Sequence, residues 1–512
     1  MKNRIKKLID SLDNGLLERK DSIAIALLAS LSGENIFLYG PPGTAKSLIS
    51  RRLSKVFETK NYFEYLMQKF STPEEVFGPI SLKELKQDNY IRKTEGFLPT
   101  ADFAFLDEIW KSSPAILNTL LTILNEKLFR NGSNIEKVPL KVLISASNET
   151  PQLNQGLEAL YDRFLVRLFI PPMNEKTNFE TLLQNGATSD EIEIDENLKI
   201  KTEELNEFKK GINKVKLSRE TLNIIHNIRK KFEEENKKND FVYVSDRRWQ
   251  KASLLIKASA FFSDRDETNV VDSFVLKYCL WSNKENIDKI AKIVEESIKE
   301  TGFDIGINLI ELDKKVTELE KEINEELFYQ EDEYDEKIVN FNKNRCFKLD
   351  IIDKKKKSNV EVYFPLNINL NKKVFPVASN NKAIKWIKYK KEKNKFLIYK
   401  HRQGSCHINN NRYFDECKTI NHIHLKGDKK ENLPKRLISS LENDITQIKN
   451  EVIKTIQTIE NRYDEFVSNS SSPFISENDT TKAFEGIVIQ KENVKVLLKQ
   501  CEELESLLKE FK

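Results

Sequence analysis

Cysteine is scarce in this 512-residue chain, and long apolar runs are absent from it. The five cysteines are scattered and odd in number, at positions 279, 346, 406, 417 and 501. A disulfide framework is therefore not expected, and a reducing compartment is indicated. Residues 1–22 are charged throughout and contain no signal-peptide core, and the longest apolar run, at 23–31, is too short to span a bilayer. We expect a cytoplasmic protein without stable membrane insertion.

No sign of charge dominates the chain either. Lysine and arginine number 84 against 80 aspartate and glutamate residues, which gives a net charge of +4. This balance argues against a generally basic nucleic-acid-binding protein, although it is compatible with a local basic patch. A chain of this length is expected to fold into about two to four domains with a substantial buried core.

The first part of the chain, to about residue 285, alternates short β-like runs with amphipathic helices, which is typical of an α/β domain. Buried strands are predicted at 35–40, 102–108 and 140–148, where apolar runs end in polar residues or glycine. The dipeptide NG at 131–132 predicts a hairpin.

The later part of the chain contains long helical patterns. Apolar stripes with a spacing of three or four residues cover 309–327, 437–459 and 494–508, and SNSSSP at 468–473 separates the second from the third. They predict a helical bundle or an antiparallel coiled coil.

Between the first and second stripes, strand-like runs alternate with Lys/Asn turns from about 338 to 427. This pattern indicates a small β module inserted into a helical stalk. We expect its hinges at the charged segments 331–336 and 426–434.

The stretch YGPPGTAKS at 39–47 resembles the pattern G-x-x-x-x-G-K-[ST], whose backbone N–H groups surround nucleotide phosphates. Ala45 replaces the second glycine, so the stretch is either a working phosphate loop with one tolerated change or a Gly/Pro turn that resembles one. The loop tolerates alanine if residue 45 has a negative φ. Lys46 is then expected on the β- and γ-phosphates, and Ser47 on Mg²⁺ at a helix N-terminus. The candidate ATP-binding positions are Gly40, Pro41, Pro42, Gly43, Thr44, Ala45, Lys46, Ser47 and Leu48.

Two adjacent carboxylates end the apolar run FAFLDE. A nucleotide hydrolase needs one acid in the Mg²⁺ shell and one that orients or deprotonates water. Asp107 fits the first role and Glu108 the second. Without the phosphate loop upstream, solvated acids at a strand end would be the default interpretation.

Further polar candidates follow in the same domain. Asn148 ends a strand and could position the attacking water, although it could also only cap a loop. Arg163 and Arg167 could be presented to the nucleotide of a neighbouring subunit, where an arginine stabilises the charge that develops in phosphoryl transfer. One arginine of VSDRRWQKA at 244–252 could reach the γ-phosphate in cis. For all these arginines, a solvated helix surface is the alternative.

These residues carry a resemblance to a known family. The order GPPGTAKS, FLDE, SASNE, LEALYDRF, VSDRRWQKA is similar to that of MoxR-type AAA+ ATPases, specifically the RavA group. Further matches are at 63–79, 106–132 and 276–283, so the resemblance is dense over roughly residues 10–285. Beyond 285 it depends on architecture, because RavA-like chains carry a helical stalk interrupted by a small β-rich domain.

The resemblance implies a fold class and a set of domains. The fold is an α/β AAA+ (P-loop) module with an α-helical lid, followed by a helical stalk domain with a small β-rich insert. The implied domains are the nucleotide-binding core at 1–195, the lid at 196–285, a discontinuous triple-helical domain at 286–334 and 430–512, and a partner-docking β insert at 335–429.

The resemblance also implies residue roles. Lys46 and Ser47 belong to Walker A, and Asp107 and Glu108 to Walker B, with ATP and Mg²⁺ as cofactors. Asn148 falls at sensor 1, Arg163 at the arginine finger and Arg247 at sensor 2, where Arg248 is the rival. Alanine at position 45 is common in such loops, which favours a working site.

The implied assembly is a ring, typically a homo-hexamer, with ATP bound between subunits. The implied partner is a von Willebrand A-domain protein of the ViaA-like kind. RavA-like members are linked to chaperone-like maturation or regulation of metal-containing respiratory complexes, and some bind an acid-stress lysine decarboxylase through the β insert. That last partner is not transferred here, because the insert is where the resemblance is weakest.

Three other functions remain open from the sequence alone. They are a nucleic-acid-directed AAA+ motor, a scaffold that binds nucleotide without turnover, and a chelatase-type subunit that inserts a metal.

In the insert, a metal could bind to Cys406, His407, Cys417, His422 and His424, although the spacing fits no standard zinc module. The lysines of 353–358 and those around Trp386 predict a basic surface that could bind nucleic acid, lipid or an acidic protein. A solvated turn without a partner is the alternative interpretation.

Overall fold

The structure is a computed structural model. It describes residues 1–58, 61–151, 156–185, 192–238, 242–301, 309–334, 338–353, 358–369, 372–384, 387–392, 395–400, 406–408, 418–430 and 432–511.

The described helices are α1 Lys2–Asp13, α2 Lys20–Leu31, α3 Lys46–Ser54, α4 Pro73–Phe77, α5 Leu82–Leu85, α6 Pro114–Glu126, α7 Glu158–Tyr161, α8 Lys176–Asn185, α9 Thr202–Lys214, α10 Arg219–Asn236, α11 Asp246–Phe262, α12 Ile287–Thr301, α13 Leu309–Leu327, α14 Lys435–Asn469 and α15 Glu477–Lys509. The described 3₁₀ helices cover Leu98–Thr100, Ile109–Lys111, Val270–Tyr278 and Lys284–Asn286.

The described strands are β1 Asn35–Tyr39, β2 Tyr62–Leu66, β3 Phe103–Asp107, β4 Leu128–Asn131, β5 Asn134–Lys137, β6 Val142–Ser147, β7 Phe164–Phe169, β8 Phe328–Tyr334, β9 Ile338–Phe341, β10 Asn344–Asp353, β11 Ser358–Pro365, β12 Val377–Ala378, β13 Ile387–Glu392, β14 Lys395–Lys400, β15 Cys406–Ile408 and β16 Lys418–Lys429. None of the helices in the described ranges is long and apolar enough to cross a membrane.

The chain divides into two compact units. Unit 1 is formed by residues 1–307 and 454–495, and unit 2 by residues 308–453 and 496–512. Helices α14 and α15 contribute residues to both units.

Unit 1 is built around a five-stranded parallel sheet in the order β2-β3-β6-β1-β7. The strands β1, β3 and β6 are apolar and buried on both faces, as expected for strands covered by helices on two sides. The predictions of buried strands at 35–40, 102–108 and 140–148 are confirmed. The predicted hairpin at 131–132 is also confirmed, since β4 and β5 pair on either side of Gly132, which has φ 63°.

Local sequence signals explain where several helices of unit 1 begin. Helix α4 starts with Pro73 behind a capping box formed by Thr72 and Glu75. Ser218 caps α10, and Ser245 caps α11 by accepting a hydrogen bond from the backbone N–H of Arg248. The start of α11 is therefore fixed by the serine that precedes the arginine pair.

The described residues of unit 2 form two antiparallel sheets and a helical cluster. The predicted helical stripes lie in α13, α14 and α15, and their unit 2 residues meet in one apolar core that includes Leu319, Ile445 and Leu504. One sheet has the order β12-β11-β10-β15 with β9 on β10, and the other has the order β13-β14-β16-β8.

The described part of the expected hinge at 331–336 forms a strand instead of a hinge. Residues up to Tyr334 belong to strand β8, which pairs with β16 along 328–334. Likewise β16 extends to Lys429, inside the second expected hinge. Charge at these positions is compatible with a strand because alternate residues of an exposed strand face water.

Candidate functional site

The carboxyl ends of three adjacent parallel strands bring the sequence candidates together. Strand β1 leads into Gly40, β3 ends at Asp107, and β6 ends at Ser147, just before Asn148. These strands are neighbours in the order β3-β6-β1, and the N–H of Gly40 donates to the carbonyl of Ser147 at 3.2 Å. Ligands of open α/β sheets bind beyond the carboxyl ends of the strands. We call this side of the sheet the carboxyl edge.

The loop between β1 and α3 is a tight turn held by its own hydrogen bonds. A Cβ atom at Gly40 would lie 2.3 Å from the carbonyl oxygen of Ile170, so only glycine fits there. Thr44 Oγ1 donates to the carbonyl of Pro41 at 2.9 Å and closes the turn. The buried Lys46 ammonium donates to the carbonyls of Gly40 (2.8 Å) and Pro41 (2.9 Å). Its charge therefore faces the inside of the loop.

Ala45 has φ 67° and ψ 25° at the N-cap of α3. The expectation of a negative φ at this position is wrong, because the residue adopts the left-handed conformation that the glycine of the usual pattern supplies without strain. The strain of the left-handed conformation therefore lies at Ala45.

Two oxygen ligands suited to a hard divalent cation meet beside the loop. Ser47 Oγ, at the start of α3, donates to Asp107 Oδ2 at 3.4 Å. Burial raises the pKa of the Asp107 carboxyl, while the backbone N–H of Glu108, which donates to Asp107 Oδ1 at 2.9 Å, opposes this shift. Burial likewise lowers the pKa of Lys46, opposed by the carboxylates of Asp107 and Glu108. A hydroxyl and a carboxylate are ligands that Mg²⁺ prefers, so these residues fit the ion that the sequence predicts.

Glu108 is held by two residues that the sequence interpretation missed. It has φ 52°, and its Oε2 atom lies 3.3 Å from Lys111 Nζ and accepts a hydrogen bond of 3.4 Å from Ser147 Oγ. A non-glycine residue in the left-handed region is common at functional sites. Lys111 could have been suspected from its position one turn after Glu108, and Ser147 from its position at the end of β6.

Asn148 is exposed at the end of β6, next to Ser147. It therefore lies on the carboxyl edge with Asp107 and Glu108, where a polar amide has access to solvent and to a ligand of the loop.

Arg163 lies on the opposite side of the sheet, which we call the amino edge. It directly precedes β7, and its carbonyl accepts a hydrogen bond from Asn35 Nδ2, where β1 begins. The guanidinium is about one-fifth exposed and lies 3.9 Å from Asp162. The six residues of β7 separate this position from the carboxyl edge by about 20 Å, which an arginine side chain does not span.

Arg167 and Arg248 are structural. Arg167 is buried, donates to the carbonyls of Tyr161 and Trp281, and lies 3.5 Å from the centroid of the Tyr161 ring. Burial lowers its pKa to about 9. Arg248 is also buried and donates to the carbonyl of Cys279 at 2.5 Å. The suggestion that Arg167 faces a neighbouring nucleotide is therefore wrong, since its guanidinium is buried and donates to three backbone carbonyls within the core.

Arg247 is exposed at the start of α11. The Ser245 hydroxyl donates to the Asp162 carboxylate at 3.3 Å, and Lys251 Nζ lies 2.5 Å from Glu34 Oε1. Asp162 precedes β7 and Glu34 precedes β1, so both mark the amino edge. The start of α11 therefore lies on the same side as Arg163, and the expectation that Arg247 reaches the loop of its own chain is wrong.

The possible metal ligands of the insert lie partly or wholly outside the described residues. Cys417 lies outside the described residues, and for Cys406, His407, His422 and His424 only the backbone is described, in β15 and β16. Residues 354–357 and Trp386 also lie outside the described residues. Among the side chains that are described, no group of three or more His, Cys, Asp or Glu could hold a metal, and Cys279, Cys346 and Cys501 are buried free thiols.

Two family models match the first part of the chain. Residues 3–210 match the MoxR domain in the MoxR-vWA-beta-propeller ternary systems, and residues 220–294 match an AAA lid domain. Two uncharacterized proteins of Methanocaldococcus jannaschii are similar to this chain. One is 36% identical over 332 residues, which is 64% of this chain and 81% of that protein, and the other is 34% identical over 326 residues, or 62% and 82%.

A structural protein of Acidianus two-tailed virus is 33% identical over 168 residues, which is 32% of this chain and 27% of that protein. Among solved structures, a candidate ATPase from Cytophaga hutchinsonii has a TM-score of 0.45 and 20% identity, and the match covers 59% of this chain and 95% of that one.

Proposed function

Because this chain belongs to the MoxR family of AAA+ ATPases, we propose that it hydrolyses Mg-ATP at sites shared between neighbouring copies in a ring, typically a hexamer in this family. Hydrolysis would drive chaperone-like remodelling or maturation of a client in the cytoplasm.

One observation carries the shared-site proposal. The loop at 40–48, Asp107 and Glu108 lie at the carboxyl edge, whereas Arg163 and the start of α11 lie at the amino edge of the same sheet. A single chain therefore does not bring an arginine of the amino edge to its own nucleotide. Placing the amino edge of one copy against the carboxyl edge of the next would complete the site, with Arg163 as the finger and Arg247 as a second arginine in trans.

The roles of the loop residues follow from their positions. Backbone N–H groups of the loop and the start of α3 would bind the phosphates, and Lys46 would exchange its two carbonyl partners for phosphate oxygens. Ser47 and Asp107 would hold Mg²⁺, which when bound neutralises charge on the phosphates.

Glu108 would orient or deprotonate the attacking water, with Asn148 beside it. Lys111 and Ser147 hold the Glu108 carboxylate in place before reaction. They are therefore positioning residues, which orient the carboxylate for the proton transfer.

We propose a von Willebrand A-domain protein as the partner, which is supported by the description of the matching family model. The narrower RavA-type role, with subunits of respiratory complexes as clients, is supported by resemblance alone. A trap variant tests both proposals: Glu108→Gln should hold ATP without hydrolysis and retain the partner on a column, whereas Lys46→Ala should not.

The shared-site proposal predicts that ATP hydrolysis per chain rises with protein concentration. Arg163→Ala should lower the rate by about 10³ without weakening ATP binding to the loop. A rate that is independent of concentration and insensitive to Arg163→Ala would contradict shared hydrolysis. DNA-stimulated hydrolysis would instead favour the nucleic-acid-directed motor.

A further inference from the structure

A second cavity, separate from the phosphate loop, opens at the amino edge of the sheet. Its volume is about 320 Å³, and it is enclosed by the end of α2, the start of β1 and the helices α9 and α11. Pockets of a few hundred cubic ångströms are the size that small organic ligands occupy.

Lysines dominate the charge around this cavity. Lys127, Lys141, Lys209 and Lys251 line it, and Glu34 is the single carboxylate among its lining residues in the described part of the chain. Lys141 is neutralised by Asp102 at 3.0 Å and Lys251 by Glu34 at 2.5 Å.

Within the described ranges, neither Lys127 nor Lys209 forms a close ion pair, and the nearby Glu34 carboxylate is already bonded to Lys251. Lys127 is half-buried, and burial lowers the pKa of its ammonium. The carboxylate of Glu34 opposes this shift, and the like charges of Lys251 and Lys209 add to it. A partly desolvated ammonium among like charges is stabilised by any anion that enters the cavity.

The floor and rim of the cavity differ in chemistry. Apolar side chains form the floor, where the half-buried Leu205 and Leu254 are accessible to a ligand, and the amides of Asn206 and Asn213 lie on the rim with the lysines. An inorganic anion alone would leave this floor without a partner. The combination suits a molecule with an apolar or aromatic part and an anionic group.

We propose that this cavity binds a phosphorylated small molecule, with its phosphates on Lys127 and Lys209 and its apolar part on the floor. This ligand would bridge the nucleotide-binding core and the lid. Lys251 lies one helical turn after Arg247 on α11, so an anion that draws Lys251 from Glu34 would also displace Arg247. This consequence for hydrolysis depends on the proposed function, whereas binding to the cavity does not.

Calorimetric titration of the full chain with ADP, and separately with inorganic triphosphate, tests the site at fixed ionic strength without Mg²⁺. Wild type should bind ADP in two classes of site. The Lys127→Met/Lys209→Gln double variant should lower the affinity of one class of site for ADP by about tenfold. Unchanged ADP binding at the other class would also show that the core of the variant is folded. Lys46→Ala should instead lower the affinity for ADP at the other class of site, the phosphate loop.

Lys210→Gln is the matched control, because Lys210 is exposed beside Lys209 on α9 but does not line the cavity. It should bind like wild type. Identical isotherms for Lys210→Gln and the double variant, or loss of all binding in Lys46→Ala, would overturn the proposal. Tighter binding of ADP than of triphosphate at this site would support the apolar contact as well as the phosphate contacts. Tighter binding of triphosphate would overturn the proposal of a ligand with an apolar part and identify an inorganic polyphosphate site.

Discussion

Ala45 carries backbone strain at the point where the phosphate loop becomes a helix. A left-handed conformation costs a non-glycine residue about 1–2 kcal/mol, a cost that glycine avoids. Part of this gain is offset because glycine has more conformational freedom to lose from the unfolded state. We therefore expect Ala45→Gly to stabilise the domain by about 0.5–1 kcal/mol, measured as a rise in the melting temperature of the nucleotide-free chain. Ala115→Gly, at an exposed position early in α6, should lower it; a fall in both variants would contradict the left-handed assignment.

The arginine pair at 247–248 should separate stability from catalysis. Arg248→Ala removes a buried guanidinium that donates a hydrogen bond to the Cys279 carbonyl. We therefore expect the free energy of unfolding to fall by about 3 kcal/mol. Arg247→Ala, at an exposed position, should change stability by less than about 0.5 kcal/mol and lower ATP hydrolysis by at least about tenfold. Thermal melting and steady-state hydrolysis of the two variants measure both effects. The opposite pattern would mean that the roles of the two residues are exchanged.

The sequence specified which residue types reach the site but not all of their conformations. The loop, Asp107 and Glu108 could be predicted because they are adjacent to a strongly apolar strand, which fixes their edge of the sheet. The φ of Ala45 could not be predicted, because alanine has no left-handed preference of its own. Arg163 and Arg167 share one short segment, and only the packing of Trp281 and Tyr161 around Arg167 distinguishes the buried residue from the accessible one.

At the scale of elements, α12 and α15 pack closely within unit 1. A Cβ atom on Gly486 would lie 2.5 Å from the backbone carbonyl oxygen of Lys299, which is closer than van der Waals contact allows. Gly486→Ala should therefore lower the melting temperature of the chain even though alanine favours helix. Val488→Ala, an exposed change on the same helix, serves as the control and should leave the melting temperature nearly unchanged. A higher melting temperature for Gly486→Ala would contradict the close packing of these helices.

Elements with a strong local period were predictable, and their long-range pairing was not. The apolar stripes identify α13, α14 and α15 because a 3.6-residue period needs no knowledge of the partner. The acidic segment at 331–336 looked like a hinge, yet its described part pairs with β16 about ninety residues later in the chain. Strand pairing of this range depends on tertiary context, which a single sequence does not display.

At the scale of the whole molecule, the proposed function makes the two edges of the parallel sheet complementary halves of one shared site. The carboxyl edge holds the phosphate loop and the acids, and the amino edge holds Arg163 and Arg247. Assembly of copies would therefore be a requirement for hydrolysis rather than a consequence of it, and dilution should reduce the rate per chain.

Mixing two inactive variants tests this requirement. Lys46→Ala retains a working Arg163, and Arg163→Ala retains a working loop, so random mixed rings contain functional interfaces at about one position in four. We predict that each variant alone is nearly inactive and that an equimolar mixture recovers up to about a quarter of the wild-type rate of ATP hydrolysis. A mixture no more active than the mean of the two variants, in rings shown by light scattering to have exchanged subunits, would contradict hydrolysis at shared sites.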